Sequence, residues 1–410
     1  MQYKRIILEN KDFGLFVIFN YVDKFLVFLL PLVVLYITKS MDTYNKIEYI
    51  YSIANVILPF FGFIASYAFY GYKISREKGE EGFIIRYRAF QSLMITILFF
   101  LGIIVSGFVP HFFSSISFSI SFLIIIRFVF LQTVSNNNVY YRLIDKPVLF
   151  LLYSIICSIF SGILVFFFGT NEHYTLLCFF IPQLVMVLLY GFEIVQKKGM
   201  IKWRALSHFF VASINFAWPT VMNSTIVAFI MNYGKIYAYN CLSSYEMYNF
   251  SYLMRISMII QMAHASMISY YGKDLYTKGY SSSFYKKYLF VITTAFLFTV
   301  CFVFFFNSYA NVEKLTIDTT AFLIFIYTFI HCCGASLELF FSRVNMNRSV
   351  LGMSIISCIV FFILIFVFGV NDLQILVIYM VVYSLLYLVL LIMMAKAKKL
   401  LVGGEINSSV

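Results

Sequence analysis

Six charged side chains fall inside stretches of this sequence that are otherwise apolar. Lys24, Arg127 and Arg255 are basic; Asp23, Glu193 and Glu338 are acidic. A charge near the centre of a bilayer costs about 2.5–3.5 kcal/mol on insertion scales, so such residues face a partner or a wet cavity. Asp23 and Lys24 are neighbours in one stretch, and on a helix adjacent side chains point about 100° apart. Each therefore calls for a partner from another helix. Asn20, Asp23, Val27 and Pro31 would share a face, with Pro31 loosening the helix beside them. Glu193 and Glu338 lie near the ends of their stretches, whereas Arg255 lies deep. If Asp23 and Lys24 offset each other, a cavity lined by Arg255, Arg127 and Lys24 favours an anionic group on a substrate, because a guanidinium grips carboxylate or phosphate oxygens in a fork. The competing reading is internal ion pairing that holds helices together, for example Asp23 with Arg255.

Two further sets could do chemistry. His331 and Glu338 are seven residues apart and share a helical face, which suits a proton relay; Asp23 is a third candidate for a coupling proton or cation. Among 32 tyrosines, Tyr67 and Tyr70 in one stretch and Tyr248 and Tyr252 in another could stack on sugar rings. The default for most of the 50 Phe and 32 Tyr is lipid-facing bulk and interfacial belts. No metal-ligand spacing, nucleophile–base pair or glycine-rich phosphate loop is present in the sequence, so no cofactor is expected. The cysteines sit almost wholly in apolar stretches and read as packing residues.

The elements that carry these residues are transmembrane helices. The chain is 62% hydrophobic and 12% charged, half the charge of an average soluble domain. Twelve apolar stretches of spanning length are expected, at about 14–37, 48–72, 89–109, 113–134, 147–169, 174–195, 208–232, 246–271, 288–309, 319–342, 350–370 and 373–395. Helices are required, because every backbone group must be paired internally in lipid. The longest polar connections, around 73–88 and 272–287, leave no room for a soluble domain. No cleavable leader is expected, since the first stretch is long enough to span.

Positive charge sorts by loop. Twenty-three of the 30 lysines and arginines fall on one side and only Lys39, Lys46, Lys235 and Lys314 on the other. This places both termini in the cytoplasm. The formal net charge of +12 is thus a topology signal, and no nucleic-acid partner is expected. A basic stretch at 196–206 separates a bundle of six helices at 1–195 from a second at 207–410. Such a plan is common in transporters built from repeats, with the substrate between the halves.

Two segments add a family resemblance. They are LLPLVVLYITKSMDTYNKIEYIYSIANVILPFFGFIASYAFYGYKISREK in the first half and WPTVMNSTIVAFIMNYGKIYAYNCLSSYEMYNFSYLMRISMIIQMAHASMISYYGKD in the second. They resemble the Wzx-type polysaccharide flippases of the MOP exporter superfamily. The first shows a proline-bearing first helix, a short outer loop, a tyrosine-led second helix with a central proline, and a basic exit. Asp42-Thr43-Tyr44-Asn45 and Tyr233-Gly234-Lys235 depart from the family pattern. The resemblance implies an all-α, MATE-like fold and alternating access to a cationic cavity that includes Arg255. The implied substrate is an undecaprenyl-diphosphate-linked oligosaccharide for O-antigen or another surface polysaccharide, and the implied location is a bacterial inner membrane. Membrane lipids, a polysaccharide polymerase and a chain-length regulator are the expected partners. A cation-coupled multidrug exporter of the same superfamily is the nearest alternative. A polysaccharide polymerase or a glycosyltransferase would usually carry a large outer loop, and none is expected here.

Overall fold

The computed structural model describes residues 2–77, 82–112, 117–144, 146–169, 171–196, 203–278, 282–309, 317–343 and 346–397. Among these residues every regular element is helical. The first helix, α1 (Gln2–Thr38), is followed by α2 (Met41–Ile57), a 3₁₀ turn (Leu58–Phe61) and α3 (Phe63–Glu77). Four helices complete the first half of the chain: α4 (Phe83–Phe112), α5 (Phe118–Leu143), α6 (Pro147–Phe168) and α7 (Glu172–Gln196). The second half contains α8 (Trp203–Cys241), α9 (Ser244–Lys278), α10 (Ser282–Tyr309), α11 (Thr319–Arg343), α12 (Asn347–Phe368) and α13 (Leu373–Ala397).

Among the described residues, ten helices are long and apolar enough to cross a membrane, and the protein is a multi-pass membrane protein. The two other expected crossings differ for physical reasons. The stretch at 48–72 is divided at Pro59 into α2 and α3, each too short alone. The stretch at 246–271 lies within α9, whose apolar residues alternate with Asn249, Ser251, Arg255, Ser257, Gln261 and His264. The expected polar connections also shrink. Helix α3 runs on to Glu77 and α4 starts at Phe83, while α9 runs on to Lys278 and α10 starts at Ser282. Lys73, Arg76, Arg86, Arg88, Lys273, Lys286 and Lys287 therefore stand on helices rather than in loops. Most of the 196–206 stretch lies outside the described residues.

Short polar residues start the helices. Ser40, Ser117 and Asn171 accept hydrogen bonds from the backbone N–H three residues on, at 3.2, 3.3 and 3.1 Å. Asp318 and Asp372 do the same for α11 and α13, at 3.3 and 2.8 Å. At α9 the cap is reciprocal: Ser243 Oγ accepts from the Glu246 N–H, and Glu246 Oε2 accepts from the Ser243 N–H at 3.0 Å. Each cap satisfies donors that a helix start leaves open. Gly369, at φ 71°, turns the chain between α12 and α13, a conformation that suits glycine.

The chain forms two compact units, Met1–Ala228 and Phe229–Val410, with the division inside α8. In the first, α5 is central and packs against α2, α4, α6 and α7. In the second, α11 is central and packs against α9, α10, α12 and α13. These are the fourth crossing of each half, and both are 56% buried across the spanning window, the highest of the ten. In each unit one helix, α5 or α11, is thus the hub on which its neighbours pack. Core packing in the first unit joins Val34, Ile47, Ile50, Ile124, Phe179 and Phe180.

Candidate functional site

The most polar layer of the first unit is built around Arg127, the tenth residue of α5. Its guanidinium lies over the Tyr51 ring of α2, 3.8 Å from the centroid, and 5.7 Å from the Phe130 centroid. Nη1 donates to Gln183 Oε1 of α7 at 3.2 Å. Arg127 is 5% exposed, so the cation–π and amide contacts stand in for water. On α2, one turn before Tyr51, Glu48 is fully buried. On α1, Asp23 is also buried, and its Oδ1 has no hydrogen-bond partner among the described residues. Cys157 of α6 is close enough to both Arg127 and Asp23 to feel each charge. Helices α2, α5 and α7 thus enclose the Arg127 guanidinium, and α1 and α2 each bury a carboxylate, Asp23 and Glu48.

Asp23 and Lys24 were expected to point apart. Instead Lys24 Nζ lies 3.7 Å from Asp23 Oδ2, because the flexible lysine stem curls back along the helix. The Lys24 side chain remains 51% exposed. It is the accessible one of the three basic residues within apolar stretches; Arg127 and Arg255 are buried in this conformation.

A second polar layer lies further along α5, ten residues from Arg127, or about 15 Å along the axis. Arg88 of α4, expected in a basic loop, is 5% exposed. Its Nη1 donates to Asn137 Oδ1 and, at 3.2 Å, to Gln91 Oε1; Gln91 Nε2 donates to the same Asn137 oxygen at 2.9 Å. The guanidinium also lies 4.2 Å from the Tyr140 centroid. Arg88→Ala is expected to lower stability through loss of this network, by about 1–3 kcal/mol for buried amides left without their donor. Thermal unfolding of the purified variant checks it, and Asn137→Leu, which leaves the buried guanidinium without that acceptor, should produce at least as large a fall.

In the second unit Arg255 is 2% exposed on α9, among the largest fully buried side chains. Tyr252 and Tyr248, three and seven residues earlier, lie on its side of the helix and stack edge-on at 5.6 Å. Both tyrosines are buried. Next to Arg255 in depth, Thr328 of α11 donates to Ser257 Oγ at 3.1 Å. Tyr67, the other tyrosine singled out with Tyr248, is packed in an aromatic group with Phe83, Phe209 and Phe216. The side chains of Tyr70 and Glu193 lie outside the described residues.

His331 and Glu338 share a face of α11 as their spacing requires. His331 stacks on Tyr327 at 6.1 Å, and Glu338 lies within electrostatic reach of Tyr383 on α13. The histidine bonded across helices is His264. Its Nδ1 is 2.7 Å from the Tyr288 hydroxyl, which donates to the Cys332 carbonyl at 2.7 Å. Since the carbonyl can only accept, the hydroxyl proton is committed there, and Nδ1 of His264 must carry the hydrogen towards Tyr288.

Sequence reasoning passed over Glu48, Gln183, Gln132 and Arg88. A signal for Glu48 was available, since Tyr44, Glu48 and Tyr51 fall on one helical face. For Arg88 and Asn137 the signal was the run Asn136-Asn137-Asn138 inside an apolar helix.

No family model matches the chain, and no curated protein matches it. Solved structures do. An inward-facing multidrug resistance MATE family transporter of the MOP superfamily superposes with TM-score 0.63 at 12% identity, covering 94% of this chain and 100% of that one. An outward-facing one gives 0.62 at 13%, covering 94% of each. The lipid II flippase MurJ in an inward closed conformation gives 0.59 at 15%, covering 93% of this chain and 87% of that one. The chain therefore has the fold of the MOP-superfamily transporters.

Proposed function

We propose that this protein flips an undecaprenyl-diphosphate-linked oligosaccharide across a bacterial inner membrane by alternating access, for assembly of a surface polysaccharide. The observation that carries the reading is the burial of the two arginines that lie inside apolar stretches, Arg127 in the first unit and Arg255 in the second, in a fold shared with a lipid II flippase. Fixed guanidinium groups at membrane depth suit a diphosphate, whose oxygens match their fork. Lys24 supplies an accessible cation, Tyr67 and Tyr248 are the candidate sugar-facing rings, and the polyprenyl tail stays in lipid. Asp23, with an unsatisfied buried oxygen, is the foremost candidate for a coupling proton or cation, with Glu338 and His331 as alternatives in the second unit. The reading is of a transporter, with no bond in the substrate made or broken. Both termini are placed in the cytoplasm, with six crossings on either side of the basic stretch. A polymerase and a chain-length regulator are its partners in the pathway.

A multidrug exporter coupled to a cation is the second reading, favoured by the buried carboxylates Glu48 and Asp23 and by the MATE transporters of the same fold. Deletion separates the two. Loss of a flippase traps lipid-linked repeat units on the cytoplasmic side and removes the surface polymer, whereas loss of a drug exporter leaves the polymer intact and raises dye retention. Single repeat units on the cell surface after deletion would point instead to a polymerase.

A further inference from the structure

The second crossing is built in two pieces, and the junction is unusually polar for its depth. Pro59 has no N–H to offer the carbonyl of Asn55, four residues back. The Gly62 N–H bonds the Pro59 carbonyl at 2.8 Å, closing a 3₁₀ turn, and Ser66 Oγ bonds the Gly62 carbonyl at 3.1 Å. A side chain reaches in from α5: Gln132 Nε2 donates to the Phe61 carbonyl at 2.9 Å. Gln132 is 1% exposed, and its Oε1 has no partner among the described residues. One turn on, Asn136 is fully buried, and neither its Oδ1 nor its Nδ2 has a partner there. Residues 132 and 136 share a face of α5. Gln132 thus ties α5 to the break, and three buried amide atoms on the same face of α5 are left without a partner among the described residues.

The two pieces also belong to different packing groups. Ile47, Ile50 and Tyr51 of α2 are in the core with α5 and α7. Phe63, Ile64 and Ala68 of α3 are in another with Phe83 and Tyr87 of α4, Leu143 at the end of α5, and Phe209, Ala217 and Val221 of α8. Buried amides left unsatisfied are costly, and a buried water bridging two to four polar atoms is the usual remedy. Helix breaks at membrane depth are tolerated where side chains and ordered water satisfy the freed backbone.

We propose that residues 58–62 are a hydrated joint: Gln132 and Asn136 hold water at the break, and α3 swings there relative to α2. Gln132 is a positioning residue that pins the joint through the Phe61 carbonyl. The inference concerns the transporter fold itself and does not depend on which substrate is carried.

The test uses the full-length protein in lipid nanodiscs, without substrate, and then in cells. Backbone hydrogen exchange at residues 60–66 should exceed that of the facing part of α5 by about tenfold. Pro59→Ala, which restores an N–H, should slow exchange at the break by a similar factor, and Gln132→Leu should speed it. Both variants should accumulate normally and export several-fold less. Radiolytic hydroxyl labelling should modify Phe128, whose ring is 5.3 Å from Phe61, several-fold more than the fully buried Phe179. The Gln132→Leu/Asn136→Leu double variant should abolish that excess. Unchanged exchange or undiminished export in Pro59→Ala would overturn the joint. Labelling of Phe128 no greater than of Phe179 would overturn the bound water. The exchange and labelling results stand whether or not deletion supports the flippase reading.

Discussion

Arg127→Ala is expected to reduce export of the surface polymer to background, with Arg127→Lys retaining a fraction of it. The guanidinium lies on the Tyr51 ring and bonds Gln183, while Glu48 of α2 and Asp23 of α1 are buried in the same unit. Removing the cation strips the Tyr51 ring of its buried guanidinium and Gln183 Oε1 of this donor, a loss of about 1–3 kcal/mol for a buried polar group. Lysine restores the charge but neither lies flat on the ring nor makes the planar fork. Abundance must be measured alongside export, because a fall in folding would mimic a fall in transport. Arg127→Leu with Glu48→Gln separates the two. Replacing both charges by neutral groups should recover abundance and leave export at background. Recovery of both would mean that Arg127 only holds the first unit together, and the diphosphate would have to be bound elsewhere.

Much of the fold could be read from the chain because lipid imposes few solutions. Long apolar stretches had to become helices, and their order along the chain follows, although ten rather than twelve are long and apolar enough to cross among the described residues. The errors share one cause. Hydropathy marks where a helix enters lipid, not where the helix ends. Lys73, Arg88 and Lys273 were read as loop residues because they lie beyond the apolar windows, yet the helices continue through them. Arg88 goes further and turns inward to Asn137. The split of the second crossing was visible as Pro59, but that the break is held by a glutamine from α5 depends on which helices meet, and periodicity does not record that.

The candidate site was half legible. Charges in apolar stretches are conspicuous, so Asp23, Lys24, Arg127 and Arg255 stand out from composition. Their partners do not. Tyr51 and Gln183 are ordinary residues in sequence and acquire a role only because α2 and α7 both pack on α5. Glu48 was hidden by its place at the margin of a stretch. The histidine tied across three helices is His264, whereas spacing had drawn attention to His331; hydrogen bonds between helices carry no sequence period.

Arg255 should give the second large effect. Arg255→Ala is expected to abolish export and also to lower abundance, since it empties one of the largest fully buried side chains of the second unit. A cavity of that size costs several kcal/mol in a packed core, about what other large-to-alanine changes cost. Arg255→Met fills most of the volume without charge, and Arg255→Lys keeps the charge with a different shape. If the cation serves the substrate, the lysine variant exports in part and the methionine variant does not, at matched abundance. If the cation serves only packing, methionine should do at least as well as lysine, because burying an ammonium carries a desolvation cost that a thioether avoids. The pair of variants therefore reads charge against volume at one position. Tyr252→Phe adds a check on the neighbouring ring, three residues away on the same face. It removes one hydroxyl and no packing area, so a loss of export there would place that hydroxyl with Arg255 in contact with the cargo, and normal export would leave the ring as the arginine's support.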